Sequence, residues 1–251
     1  MAERYPILGV QVDALTVNEL HARMLEIVRR QQHALVLNAN VNALNLAQEH
    51  DWFHDLLNRA PIVFCDGAGV MLGARLLGHR IPERITFADW MWDLAEFAVA
   101  NDLTFYFLGG RPGVAERAAD EIRKRNPAVR ILGVSHGYFD KTPDHQENLD
   151  VIADINRLRP NILVLGFGMP LQERWMLENW DRTEADIALA GGAVFDYLSG
   201  DLQRAPSWMT ASGLEWLGRL MIEPRRLWRR YLLGNPLFLW RVLQQRFGKV
   251  F

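Results

Sequence analysis

Short runs of apolar residues recur along the first 190 positions, separated by longer stretches in which apolar side chains return every three or four residues. The first pattern suits buried strands and the second suits amphipathic helices. Their alternation predicts repeated βαβ units around a mostly parallel sheet. Strands are expected at His33 to Leu37, Ile62 to Cys65, Thr104 to Leu108, Val129 to Val134, Ile162 to Leu165 and Ile187 to Ala190. Two helix starts carry capping-box spacing, Thr16 with Glu19 and Thr86 with Asp89. Pro112 is expected just inside the next helix and Asn126-Pro127 at its end.

After Ala205-Pro206-Ser207 the texture changes. Trp216, Leu217, Leu220, Met221, Leu227, Trp228, Tyr231 and Leu232 are interleaved with arginines, as in short amphipathic helices, with breaks expected at Pro224 and Gly234-Asn235-Pro236. The expected fold is therefore α/β, a Rossmann-like, mostly parallel sheet flanked by helices, with a basic amphipathic helical C-terminal appendage. The division expected is a core over 1–206 and an appendage over 207–251.

Composition narrows the class. With 251 residues, 49% of them hydrophobic, the chain can bury a large core. A single cysteine, Cys65, excludes an internal disulfide framework and a multi-cysteine zinc site, and points to a reducing compartment. No secretion signal is expected from Met1-Ala2-Glu3-Arg4-Tyr5-Pro6, and no apolar run approaches the roughly 20 residues that span a bilayer. Net charge is -2, but residues 215–251 hold eight Arg or Lys against two Glu, which leaves the preceding 214 residues at -8. A basic, aromatic tail on an acidic body points to an anionic partner reached by the tail. It can rest on an anionic membrane or pack on the core; the acidic body argues against nucleic acid.

In a parallel sheet, ligands bind beyond the carboxyl ends of the strands. There the sequence places Asn38 and Asn40, Asp66-Gly67, Gly109-Gly110, Gly137-Tyr138, Gly166-Phe167-Gly168 and Gly191-Gly192. Glycine pairs let backbone amides approach a phosphate, although βα turns need glycine for packing as well. Gly166-x-Gly168 lacks the third glycine of a dinucleotide fingerprint. Asp66 follows the apolar run Ile62-Val63-Phe64-Cys65 and reads either as a shielded general base or as a cap for the next helix. Asp196 is a second carboxylate at this edge. Gln172 lies in a helical first turn and reads as a ligand contact or as an exposed polar position. No Asp-x-Asp pair and no i, i+4 His ligand pair on an apolar face is present, so no metal and no other cofactor is expected.

Several motifs occur in a fixed order: Asp66-Gly67-Ala68-Gly69, Pro82-Glu83-Arg84-Ile85-Thr86, His136-Gly137-Tyr138-Phe139, Gly168-Met169-Pro170-Leu171-Gln172-Glu173, Gly191-Gly192-Ala193-Val194-Phe195-Asp196, Gln203-Arg204-Ala205-Pro206, and Leu214-Glu215-Trp216-Leu217 before Glu223-Pro224. In this the chain resembles the WecG/TagA/CpsF bacterial glycosyltransferases, family 26, from about Ile7 to Arg246.

The resemblance implies metal-independent, inverting transfer from a UDP-sugar (N-acetylmannosamine, its uronic acid, glucose or similar) to a polyprenyl-diphosphate-linked sugar, such as one on undecaprenyl diphosphate, in cell-surface polysaccharide or exopolysaccharide biosynthesis. It implies Asp66 as base, with Asn38, Asn40, Arg84, Gln172, Arg219, Arg226 and Arg229 on the substrates. Gly109, Gly110, Gly137, Tyr138, Gly191, Gly192 and Asp196 are expected to line the nucleotide. The implied place is cytoplasmic, peripherally on the inner face of the plasma membrane, with the 207–251 appendage docking and completing the active site. One departure concerns Asn38-Ala39-Asn40-Val41-Asn42, where family members carry Thr-Pro-Asn-Ala-Glu. Alternatives are a non-catalytic membrane-docked UDP-sugar-binding protein and a dinucleotide-dependent oxidoreductase.

Overall fold

A computed structural model describes residues 3–248. Among these residues the eight strands are β1 (Arg4–Ile7), β2 (Val10–Asp13), β3 (Ala34–Ala39), β4 (Ile62–Cys65), β5 (Thr104–Gly109), β6 (Arg130–Ser135), β7 (Ile162–Gly166) and β8 (Ile187–Ala190). The helices up to the end of the last strand's crossover are α1 (Val17–Arg29), α2 (Val41–Glu49), α3 (Asp51–Arg59), α4 (Ala68–Leu76), α5 (Phe87–Ala100), α6 (Val114–Arg125), α7 (Gln146–Leu158), α8 (Leu171–Asn179) and α9 (Val194–Leu198). Then come α10 (Ser207–Ala211), α11 (Glu215–Ile222), α12 (Pro224–Trp228), a π-helical segment Arg229–Leu233 and α13 (Gly234–Arg246). The class is the α/β, Rossmann-like, mostly parallel arrangement expected.

The chain packs into two compact units. The first holds residues 3–17, 38–86 and 203–248; the second holds 18–37 and 87–202. In the second, β3 pairs with β8, β8 with β7, β7 with β5 and β5 with β6, all parallel. Strands β5, β7 and β8 are buried along their whole length, which explains why they read as continuous apolar runs rather than as alternation.

The first unit contains the two strands that apolar runs do not predict. β1 and β2 are four residues each and form an antiparallel hairpin with Ile7 opposite Val10. Leu8 and Gly9 turn it with φ of 49° and 75°, the positive pair that a two-residue hairpin loop needs. Gln48 Nε2 donates to the Leu8 carbonyl at 2.7 Å, and the Leu8 N–H donates to Gln245 Oε1 at 2.8 Å, so α2 and α13 hold a turn the local sequence hardly signals. β2 continues parallel to β4, where the buried Asp13 carboxylate accepts the Val63 N–H at 2.7 Å and pairs with Arg4 at 3.4 Å.

Residues 207–248 pack within this first unit. α13 lies on α2 and α4 through buried Phe238 and Val242. A Cβ on Gly73 of α4 would stand 2.6 Å from Phe238 Cζ, so glycine sets the approach of the two helices. Asn45 Nδ2 donates to the Gly234 carbonyl at 2.8 Å, and Arg241 Nη1 donates to Asn45 Oδ1 at 2.9 Å.

Three local expectations change. The break expected at Gly234-Asn235-Pro236 is absent: the π-helical segment runs directly into α13, whose third residue is Pro236. Helix α5 does start after Thr86, but the buried Thr86 Oγ1 has no hydrogen-bond partner among the described residues, so its hydroxyl does not cap the helix. Pro112 lies just before α6, whose N-cap is Gly113 with φ of 84°, and Asn126 is its C-cap.

Candidate active site

Asp66 occupies the position directly after β4, and its N–H donates to the Ala39 carbonyl at the end of β3 at 2.8 Å. Its carboxyl does not cap α4: the N-cap is Gly67, with φ of 108° and no side-chain cap bond. The capping reading of Asp66 is thereby replaced by a different set of partners. Asn40 is the N-cap of α2, with Oδ1 accepting the Ala43 N–H at 3.0 Å. That bond fixes the amide orientation and leaves its nitrogen as the donor for the side-chain hydrogen bond between Asn40 and the Asp66 carboxyl.

The Asp66 residue retains some surface, but its carboxyl group lies deep among protein atoms. Loss of water is the main reason its pKa is pushed up to about 6, and the Glu215 carboxylate adds to the rise. Arg230, Arg219 and the Asn40 hydrogen bond oppose it. A carboxyl balanced in this way can take up and release a proton near neutral pH. Next to it, burial pushes the Cys65 thiol far up, Asp66 pushes it further, and Arg84 acts in the other direction. Arg84 is thereby placed at the end of β4, where the following Ile85 N–H donates to the Cys65 carbonyl at 3.0 Å.

The tail arginines divide in two. Arg219 and Arg230 act on Asp66; burial depresses the Arg230 pKa, and Asp66 pulls it back up. Arg226 and Arg229 are exposed, Arg226 pairing with Glu223 at 2.5 Å and Arg229 lying 5.3 Å from the Trp228 ring centroid. The sequence reading missed Arg230 and Glu215. Within the run Arg225-Arg226-Leu227-Trp228-Arg229-Arg230, only the helical phase, shifted by the π-helical segment, tells which guanidinium turns inward. Asn38, at the end of β3, is buried.

In the second unit the glycine turns are bonded to one another. The Gly110 N–H donates to the Gly166 carbonyl at 3.0 Å, Gly137 to Gly110 at 2.8 Å and Gly191 to Leu165 at 2.7 Å. A Cβ on Gly109 would meet the Gly166 backbone at 2.5 Å, and one on Gly137 would meet Phe167 at 2.8 Å. These glycines allow the βα turns to nest, and their amides are committed inside the protein. Gly192 and Gly168 differ, with φ of 61° and 81° and nothing within 4 Å of a built Cβ, so both border open space.

Gln172 is not an exposed first-turn residue; it is 1% exposed. Its Oε1 accepts the Gly192 N–H at 3.0 Å, and its Nε2 donates to Glu173 Oε1 at 2.9 Å. Both ends of the amide therefore brace the turn after β8. Tyr138 projects outward, 68% exposed, from a turn held by Lys141, whose Nζ donates to the Gly137 and Phe139 carbonyls and lies 4.7 Å from the Phe167 ring centroid. Asp196 is half-buried in the first turn of α9. Among the described residues, no group of three or more His, Cys, Asp or Glu side chains is placed to hold a metal ion.

The model of the glycosyl transferase WecG/TagA/CpsF family matches residues 5–250. The chain is similar to the N-acetylglucosaminyldiphosphoundecaprenol N-acetyl-beta-D-mannosaminyltransferases of Staphylococcus aureus strains NCTC 8325 / PS 47 and COL, each 25% identical over 242 residues, 96% of this chain and 92% of the relative. The match runs through both units, including the strand ends around Asp66 and the arginine-bearing tail, and the chain belongs to the WecG/TagA/CpsF family of glycosyl transferases.

Proposed function

We propose that the protein transfers an N-acetylmannosamine-type sugar from its UDP derivative, with inversion, to a polyprenyl-diphosphate-linked N-acetylglucosamine in the synthesis of a cell-surface polysaccharide. The observation that carries this reading is the Asp66 carboxyl, held near neutral proton affinity, hydrogen-bonded by Asn40 and acted on by two cations. The names of the Staphylococcus relatives support the choice of acceptor and sugar.

In the proposed step the acceptor hydroxyl oxygen attacks the anomeric carbon and its proton passes to Asp66. The bond from that carbon to the diphosphate oxygen breaks, and UDP leaves with the electron pair. Arg219 and Arg230 stabilise diphosphate charge in place of a metal, with Arg84 a further cation of the same unit. By the family resemblance, Tyr138, Gly192 and Asp196 of the second unit are the nucleotide contacts of that unit. Gln172 holds the Gly192 turn.

Residues 207–248 serve as the membrane-docking part. Trp208, Met221, Trp228, Leu233, Trp240 and Phe247 are exposed, among the exposed cations Arg225, Arg226 and Arg229. Apolar rings mixed with arginines suit the interface of an anionic leaflet, consistent with a cytoplasmic protein on the inner face of the plasma membrane. Among the described residues no helix is long and apolar enough to cross a membrane.

The test is transfer from a panel of UDP-sugars to a polyprenyl-diphosphate-GlcNAc analogue in anionic vesicles, for the parent chain and Asp66→Asn. The expected result is turnover with the N-acetylmannosamine donor and a fall in kcat of about 10²- to 10⁴-fold in the variant, the usual range for losing a general base. UDP binding without turnover of any donor would instead support a non-catalytic sensor.

A further inference from the structure

Arg219, on α11, acts electrostatically on Asp66, and two contacts on one side of that helix fix how α11 lies. Glu215, its first residue, pairs with Arg204 at 2.9 Å, and both side chains are mostly shielded from water. One turn later Gly218 is buried against the same segment: a Cβ there would stand 2.5 Å from Ala205 Cβ and 3.4 Å from Ala205 Cα. Glu215 and Gly218 are three residues apart and Glu215 and Arg219 four, so all three share one helix face. Pro206, next to Ala205, limits the local backbone's freedom to yield.

From these contacts we infer that Arg204, Glu215 and Gly218 form a clamp that sets the rotation of α11 and thereby holds the Arg219 guanidinium at Asp66. They are positioning residues, acting through Arg219 and not on the substrate. The inference deepens the proposed function, on which its activity arm rests. A shielded ion pair gives direction to the helix, and a glycine contact with no free volume gives it depth. Loss of either turns Arg219 away without removing it. The charged and polar groups that act on Asp66 are Glu215, Arg230, Arg219 and Asn40, all belonging to the first unit.

The experiment uses the full chain and five variants: Gly218→Ala, Arg204→Gln, Arg219→Ala, and each of the first two combined with Arg219→Ala. Gly218→Ala changes no charge and adds one methyl group against Ala205. Two quantities are read, kcat for transfer and the titration of the Asp66 carboxyl by ¹³C NMR. The clamp predicts that Gly218→Ala and Arg204→Gln each lower kcat about tenfold when Arg219 is present, a modest case of the cost of misplacing a catalytic group. In the Arg219→Ala background each costs less than about twofold, because coupled residues are not additive. Gly218→Ala also raises the Asp66 titration midpoint only when Arg219 is present.

Equal losses in both backgrounds, or no change in either quantity, would overturn the clamp. If the parent chain shows no transfer but the titration follows the predicted pattern, the proposed function fails and the clamp stands. If Gly218→Ala does not fold, Arg204→Gln decides through the kcat comparison, or, should the parent be inactive, through whether its effect on the midpoint shrinks with Arg219, the remainder being the direct action of the unpaired Glu215 on Asp66.

Discussion

The Asn40 side chain caps α2 through its oxygen, accepting the Ala43 N–H at 3.0 Å, and hydrogen-bonds the Asp66 carboxyl through its nitrogen. One residue thus ties the start of a helix to the proton affinity of the group after β4. Asn40→Ala should therefore act twice. Losing the cap should destabilise the protein by about 1 kcal/mol, read from the denaturation midpoint. Losing the donor should raise the Asp66 pKa above about 6, so the acid limb of kcat/KM moves to higher pH. An unmoved limb would remove Asn40 from the proton chemistry.

The raised Asp66 pKa also has a sign for stability. The folded protein holds this proton more tightly than an unfolded chain, whose carboxyl titrates near 3.8. Its contribution is full below that pH and is lost as pH rises through about 6. Asp66→Asn, a neutral replacement of similar shape, should therefore lose most of its activity yet be more stable than the parent at pH 7, on the order of 1–3 kcal/mol, with the gain vanishing near pH 4. Thermal melts across that range check it; a pH-independent difference would contradict the desolvation account.

Gln172 supplies a third expectation. Gln172→Ala removes the acceptor of the Gly192 N–H and the donor to buried Glu173, so it should cost about 1–3 kcal/mol of stability. If the turn contacts the nucleotide, the KM for the UDP-sugar should rise several-fold more than the KM for the acceptor. Equal changes in both would mean that Gln172 supports the fold alone.

The division among the tail arginines can be read directly. Arg230→Ala should lower kcat by about 10²-fold, within the range for one charge-stabilising group, and should move the acid limb upward by removing a cation from Asp66. Arg229→Ala should leave kcat in detergent within about twofold and weaken binding to anionic vesicles, since one exposed cation near such a surface contributes about 1 kcal/mol. Reversed effects would exchange the roles of the two residues.

Much of this was legible along the chain. Apolar runs marked β3 to β8, most plainly β4, β5, β7 and β8, which are buried along their whole length and so have no solvent-facing polar positions. Asp66 stood out as a carboxylate at the end of such a run. The β1–β2 hairpin was not legible: it is four residues a side, contains Pro6, and has its turn held by Gln48 and Gln245 from distant helices. The glycine pairs were legible as turns, but whether their amides remain free is a question of partners far along the chain, such as the Gly166 carbonyl for Gly110.

The sequence by itself determined the α/β alternation, the buried strand ends that carry Asp66 and the glycines, and the concentration of positive charge after residue 215, because period and composition are local properties. Tertiary structure alone decided that Asn40 serves the carboxyl, that Gln172 braces a glycine turn, and that Arg219 and Arg230, rather than Arg226 and Arg229, act on Asp66. Those choices depend on desolvation and on the rotational phase of packed helices, and both are set by contacts between segments remote in sequence.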